Sequence, residues 1–147
     1  MESRGGLLLD AHEADAGRRA LASRVVAPWW YLPTVAALVA QHVLLQGAPD
    51  DRWTLPSGVV LLVGSAIAWL AWRARMGITV LPWTGWRSLL ALGAWSLLAL
   101  ACAWTAAAAT DGLAVGAVAV VAAIGTMLLG QAWVAVLRAD VRRADRW

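Results

Sequence analysis

Side chains able to do chemistry are sparse in this sequence. His42 stands with Gln41 and Gln46 inside an otherwise apolar run. An imidazole changes charge near neutral pH, so this trio either titrates, lines a small cavity, or hydrogen-bonds a neighbouring helix. Asp111 is the one acid between two long uncharged stretches and suits a helix N-cap. Cys102 is the single cysteine, so no intrachain disulfide is possible; its apolar and small neighbours mark an inert packed thiol. One cysteine and two distant histidines do not make a zinc set, and neither a metal nor a cofactor is expected. Nucleophile-elbow, zinc-protease, phosphate-loop and dinucleotide patterns are absent. Gly64-Ser65 has no acid or histidine beside it. The chain therefore reads as non-enzymatic.

The elements that hold these residues are set by where charge is missing. Uncharged runs of 25, 20, 23 and 26 residues lie between Arg24 and Asp50, Arg52 and Arg73, Arg87 and Asp111, and Asp111 and Arg138. About 20 apolar residues at ~1.5 Å each cross a hydrocarbon layer of ~30 Å. The runs predict an all-α bundle of four transmembrane helices over 29–46, 55–72, 88–109 and 112–137. The stretch 76–86 is too short to span and carries Gly77, Pro82 and Gly85, so it reads as an interfacial connector. The chain divides into a segment 1–27, a transmembrane domain 28–137 and a basic tail 138–147.

Composition points the same way. Of 147 residues, 61% are hydrophobic and 14% charged, against about 45–50% and ~25% in soluble domains. A globule of this size cannot hide that excess. Disorder needs the opposite balance. All 12 basic residues are arginine, and lysine, asparagine and phenylalanine are missing, a bias that fits GC-rich coding.

Arginine placement predicts orientation. Eleven of the 12 lie in the N-terminal segment, the second connection and the tail; only Arg52 lies elsewhere, beside Asp50 and Asp51. The positive-inside rule then puts both termini in the cytoplasm, in a bacterial inner membrane. Trp29, Trp30, Trp69, Trp72, Trp83, Trp86 and Trp133 are expected at that cytoplasmic boundary as anchors, with Trp53 and Trp104 opposite and Trp95 mid-span. No signal peptide is evident. Leu7, Ala11, Ala14, Leu21 and Val25 form a moderate stripe that predicts a short amphipathic helix over 10–26, ending before Pro28.

Small residues mark contacts between helices in lipid. Gly112, Gly116, Ala119 and Ala123 form one candidate packing stripe; Ala122, Thr126 and Gly130 form another, and Gly64 with Ala68 marks the second helix. Ser65, Ser96, Thr126 and Gln131 read as isolated interhelical hydrogen-bonding groups. The other candidate surface is basic: Arg73, Arg75, Trp83, Trp86, Arg87, Arg138, Arg142 and Arg143 either fix topology or form a dock for lipid headgroups or a partner protein. The arginines hug the predicted membrane and no nucleic-acid-binding fold is present, so nucleic acid is not an expected partner.

The segment Ala27-Pro28-Trp29-Trp30-Tyr31-Leu32-Pro33, preceded by an Ala- and Arg-rich stretch, resembles the start of small four-span integral membrane proteins of actinobacteria. The likeness extends along the chain and includes Arg-x-Arg-x-Gly at Arg73–Gly77. That group carries no assigned activity, so the resemblance transfers no functional residue. No Asp, Glu, Lys or Arg falls inside a predicted span, whereas ion-coupled transporters usually carry intramembrane charge. The expected role is an accessory or structural subunit interacting with the bilayer and with another membrane protein or itself. The alternative is a small oligomeric transporter for an uncharged or lipophilic solute.

Overall fold

Proline, glycine and one aspartate set the helix ends. The computed structural model describes residues 16–17, 20, 23, 26–48, 51–76 and 86–143. Among the described residues four helices can be given bounds: α1 (Tyr31–Gln46), α2 (Thr54–Met76), α3 (Trp86–Ala108) and α4 (Gly112–Arg143), with a 3-10 turn at Asp51–Trp53. A turn closed by Tyr31 N–H on Pro28 O at 3.0 Å occupies Trp29 and Trp30, so α1 starts two residues later than expected. Pro33 and Pro56 fall in first turns, where a missing N–H leaves no helical bond unmade. Asp111 caps α4 as expected, its Oδ1 accepting the Leu113 N–H at 3.1 Å. At its other end α4 runs through Arg138 to Arg143 without a break, so the expected boundary at 138 lies within the helix.

Among the described residues, three helices contain stretches long and apolar enough to cross a membrane: Thr54–Arg75, Leu89–Ala108 and Gly112–Asp140. The fourth, α1, is apolar but has only 16 residues, about 24 Å at the helical rise. It is also the most enclosed, because it packs on all three of the others. The remaining close pairing is α3 with α4, while α2 leans chiefly on α1. Contacts run antiparallel along the three main pairs, whereas α1 and α3 run parallel. Leu38 meets Gly64 between α1 and α2, Leu32 meets Gly130 between α1 and α4, and Leu98 meets Gly125 between α3 and α4. Each main interface thus seats a leucine on a glycine. A Cβ added at Gly64 would stand 2.8 Å from Leu38 Cδ1.

The core has two halves stacked along α1. At the Gly47 end, Val39 and Val43 pack on Cys102, Ala106, Val115, Ala119 and Ala122. Small side chains there let α3 and α4 close on α1. Gly47 is part of this fit, since a Cβ on it would lie 2.5 Å from Val115 Cγ1. At the other end, Tyr31, Trp72 and Trp133 pack with Val35, Ala68, Val134 and Leu137. The outer faces stay apolar, with Leu55, Val59, Leu62, Val63, Ile67 and Leu70 exposed on α2. Helices apolar on every side suit a lipid surrounding.

The stripe expected from spacing is only partly used. Ala119, Ala122 and Thr126 are buried, and Ala123 is half-buried. Gly112 and Gly116 are not packing points within the chain, because an added Cβ at either meets nothing within 4 Å. The intrachain close approaches fall one helical face away, on Gly125 and Gly130. Of the expected 10–26 helix, positions 16, 17, 20 and 23 are helical and position 26 is not. The rest of that helix up to position 25, and the 77–85 connector, lie outside the described residues.

Candidate functional site

A cavity of about 440 Å³ opens at the aromatic end of the bundle, where α2 stands away from α3. Every helix supplies one face at three-to-four-residue spacing. The walls are Tyr31, Leu32 and Val35 of α1; Leu62, Ser65, Ala66 and Trp69 of α2; Ala91, Leu92 and Trp95 of α3; and Thr126, Leu129, Gly130 and Trp133 of α4. Three of its wall rings, Tyr31, Trp69 and Trp133, pack around Trp72 behind them. Tyr31 and Trp72 lie 4.6 Å apart, Trp69 lies 5.3 Å from Trp72, and Trp133 lies 5.6 Å from Trp69 and 5.7 Å from Trp72. These tilted and edge-on geometries are the favourable ones for aromatic pairs. Trp72 is 0% exposed and its Nε1–H donates to Val26 O at 3.2 Å, tying the N-terminal segment to α2.

Few polar atoms face the cavity. Trp95 Nε1–H donates to Thr126 Oγ1 at 3.3 Å, which gives the mid-span tryptophan its partner and makes Thr126 an interhelical acceptor. Ser65 Oγ and Trp133 Nε1 are buried and have no hydrogen-bond partner. The interhelical bond expected of Ser65 is thus not made, and Ser96 and Gln131 are exposed. Trp133, expected as a boundary anchor, is 7% exposed and faces inward with Trp72. Trp29 and Trp86 do point outward.

At the opposite end lies a small polar knot. His42 Nδ1 is 2.9 Å from Ser57 Oγ, and Gln46 Nε2 is 3.3 Å from His42 Nε2. Ser57 O–H donates to Thr54 O at 2.9 Å. That bond uses the only serine proton, so His42 Nδ1–H must donate to Ser57 Oγ. Nε2 then accepts from the Gln46 amide. The chain of donors is complete for a neutral ring with its proton on Nδ1. Gln41, expected in this group, is exposed on another face of α1, since i and i+1 point about 100° apart on a helix.

Arg73, Arg75, Arg87 and Arg138 lie at the aromatic end. Arg75 Cζ sits 5.5 Å over the Trp30 ring, and Arg87 Cζ 5.7 Å over Trp86. Arg138 borders a second cavity of about 400 Å³ with Ala27, Pro28, Trp29, Gln131 and Val134. Arg73 is exposed on the last turns of α2. Arg52 stacks on Trp53 at 5.6 Å, at the other end. Trp83 and the side chains of Arg142 and Arg143 lie outside the described residues. Among those described, no three His, Cys, Asp or Glu side chains cluster as a metal site. Comparison of the chain with protein-family models, curated proteins and solved structures gave no match.

Proposed function

We propose that this chain is a non-enzymatic, four-span protein of the bacterial inner membrane. Both termini lie in the cytoplasm, and it serves as an accessory or structural subunit that binds another membrane protein or itself. The observation that carries this reading is the dry interior. Among the described residues the polar side chains buried whole are Ser57 and Thr126, each hydrogen-bonded inside the bundle, and the two unpartnered buried polar atoms are Ser65 Oγ and Trp133 Nε1. No Asp, Glu, Lys, Arg or His lines the large cavity. An ion-coupled path or an acid–base catalytic centre usually carries such groups at depth.

What remains for function is the outer surface. The open space at Gly112 and Gly116 leaves a GxxxG pair free for a helix from a second molecule. The arginine-rich end adds attraction to anionic headgroups or to an acidic partner loop. The short α1 crosses as the enclosed centre of the bundle, with the turns before Tyr31 and after Gln46 completing its reach. The transporter reading keeps one observation in its favour: the cavity opens sideways between α2 and α3.

Purification in mild detergent, followed by mass spectrometry of everything retained, tests this role. A stoichiometric membrane-protein partner, or a homo-oligomer lost in Gly116→Leu, is the expected result. A monomer with no partner would contradict it.

A further inference from the structure

We propose that the groove between the start of α1 and the end of α4 is a binding site for one anionic phospholipid, with its phosphate on Arg138 and an acyl chain running down α4. The proposal rests on the membrane-spanning reading but not on a protein partner, so lipid binding and partner capture can fail separately. The groove holds about 400 Å³, within the roughly 300–1,000 Å³ of small-molecule sites. Among the described residues neither α2 nor α3 supplies a wall, so the groove opens directly to whatever surrounds the bundle. Trp29 at its rim is 87% exposed.

The polarity of the groove is graded along one face of α4. Met127, Gln131, Val134 and Arg138 line it at helical spacing, and Arg75 and Arg87 lie at the same end as Arg138. Arg138 stands 11 positions beyond Met127, about 16 Å at the helical rise, or about one leaflet of a ~30 Å hydrocarbon layer. From the boundary inward the wall presents a charge, then an amide, then a thioether. A phospholipid has the same order: phosphate, ester carbonyls, alkyl chain. A guanidinium fork matches phosphate oxygens. Arg138 also makes a contact within the chain, and its five N–H donors can serve both. The Gln131 amide is exposed and can donate to an ester carbonyl. Leu32 and Met127 line the apolar stretch. No Asp or Glu is among the described wall residues, so an anionic headgroup meets no repulsion there and an ammonium headgroup finds no partner. An acidic protein loop would satisfy the arginine alone. Carried down to Met127, it would leave backbone N–H and C=O groups unpaired in lipid. An acyl chain has no such groups to satisfy.

The test titrates the purified full chain in detergent with dioleoylphosphatidylglycerol or with zwitterionic dioleoylphosphatidylcholine, and counts bound lipid by native mass spectrometry. One saturable phosphatidylglycerol per chain is expected. Phosphatidylcholine should bind about five-fold more weakly, the worth of one arginine beside an anionic headgroup. Arg138→Gln is expected to lower phosphatidylglycerol affinity about five-fold and to erase the preference. Arg87→Gln removes the same charge from the same end but outside the groove, and should leave the affinity unchanged. Gln131→Trp fills the groove from an exposed position, and is expected to abolish the saturable site for both lipids. Equal affinity for the two lipids would overturn the assignment, as would equal losses in Arg138→Gln and Arg87→Gln. So would a stoichiometric protein whose retention, unlike that of lipid, is lost in Arg138→Gln. Should that variant not fold, saturable lipid binding retained in Gln131→Trp would overturn it instead.

Discussion

Removing the Ser57 hydroxyl should cost more than a serine-to-alanine change in an apolar bundle ordinarily does. Ser57 is buried and stands between two helices. Its oxygen accepts from His42 Nδ1–H and its proton goes to Thr54 O. In Ser57→Ala the imidazole N–H faces a methyl group. An orphaned buried donor costs about 1–3 kcal/mol, while side-chain bonds between membrane helices average about 0.6 kcal/mol and reach about 1.7. His42 is only half-buried, so water partly replaces the lost partner and the expected loss is about 1 kcal/mol. His42→Leu removes the donor instead. Ser57 keeps its bond to Thr54 O, so the expected cost is about 0.5 kcal/mol. In the double variant no donor is orphaned, and its cost should match His42→Leu alone. The coupling is then about −1 kcal/mol, outside the ~0.5 kcal/mol scatter of independent sites. Reversible unfolding in mixed micelles, followed by tryptophan fluorescence, measures all three. Additive costs would refute the donor chain. So would nitrogen-15 spectra placing the His42 proton on Nε2.

Gly64→Leu drives a side chain into Leu38 and should destabilise the α1–α2 pair by about 1–3 kcal/mol, with partial rescue by Leu38→Ala; the same unfolding assay reads both. Asp111→Ala removes the cap bond to Leu113 N–H and should cost about 1 kcal/mol, whereas Asp111→Asn should cost little. Circular dichroism melts in detergent, compared across the three proteins, check that ranking.

The helices were legible because an uncharged run of 20 or more residues has few other solutions. The α4 cap was legible because Asp111 stands alone in a short turn. Which faces turn inward was not. A helix apolar on every side carries no periodic signal to point one face at the core, so Trp133 and Trp72 could not be told from Trp29 and Trp86. For the same reason the cavity was invisible, since it depends on four faces meeting. The partner of His42 did leave a trace. In an antiparallel hairpin, positions equally far from the connection oppose each other, and counting outward from 47–53 pairs 42 with 58, the neighbour of Ser57. Gln41 was grouped with His42 by adjacency in sequence, which a helix separates.

The central claim is four crossings with both ends of the chain on the arginine-rich side. Impermeant-maleimide labelling of intact cells tests it, with single cysteines placed in a Cys102→Ala background. Asp50→Cys should be labelled, while Ala20→Cys, Val80→Cys and Arg142→Cys should be protected until the membrane is opened. Labelling of Ala20→Cys together with Asp50→Cys would show that α1 does not cross, and labelling of Arg142→Cys from outside would contradict the orientation itself.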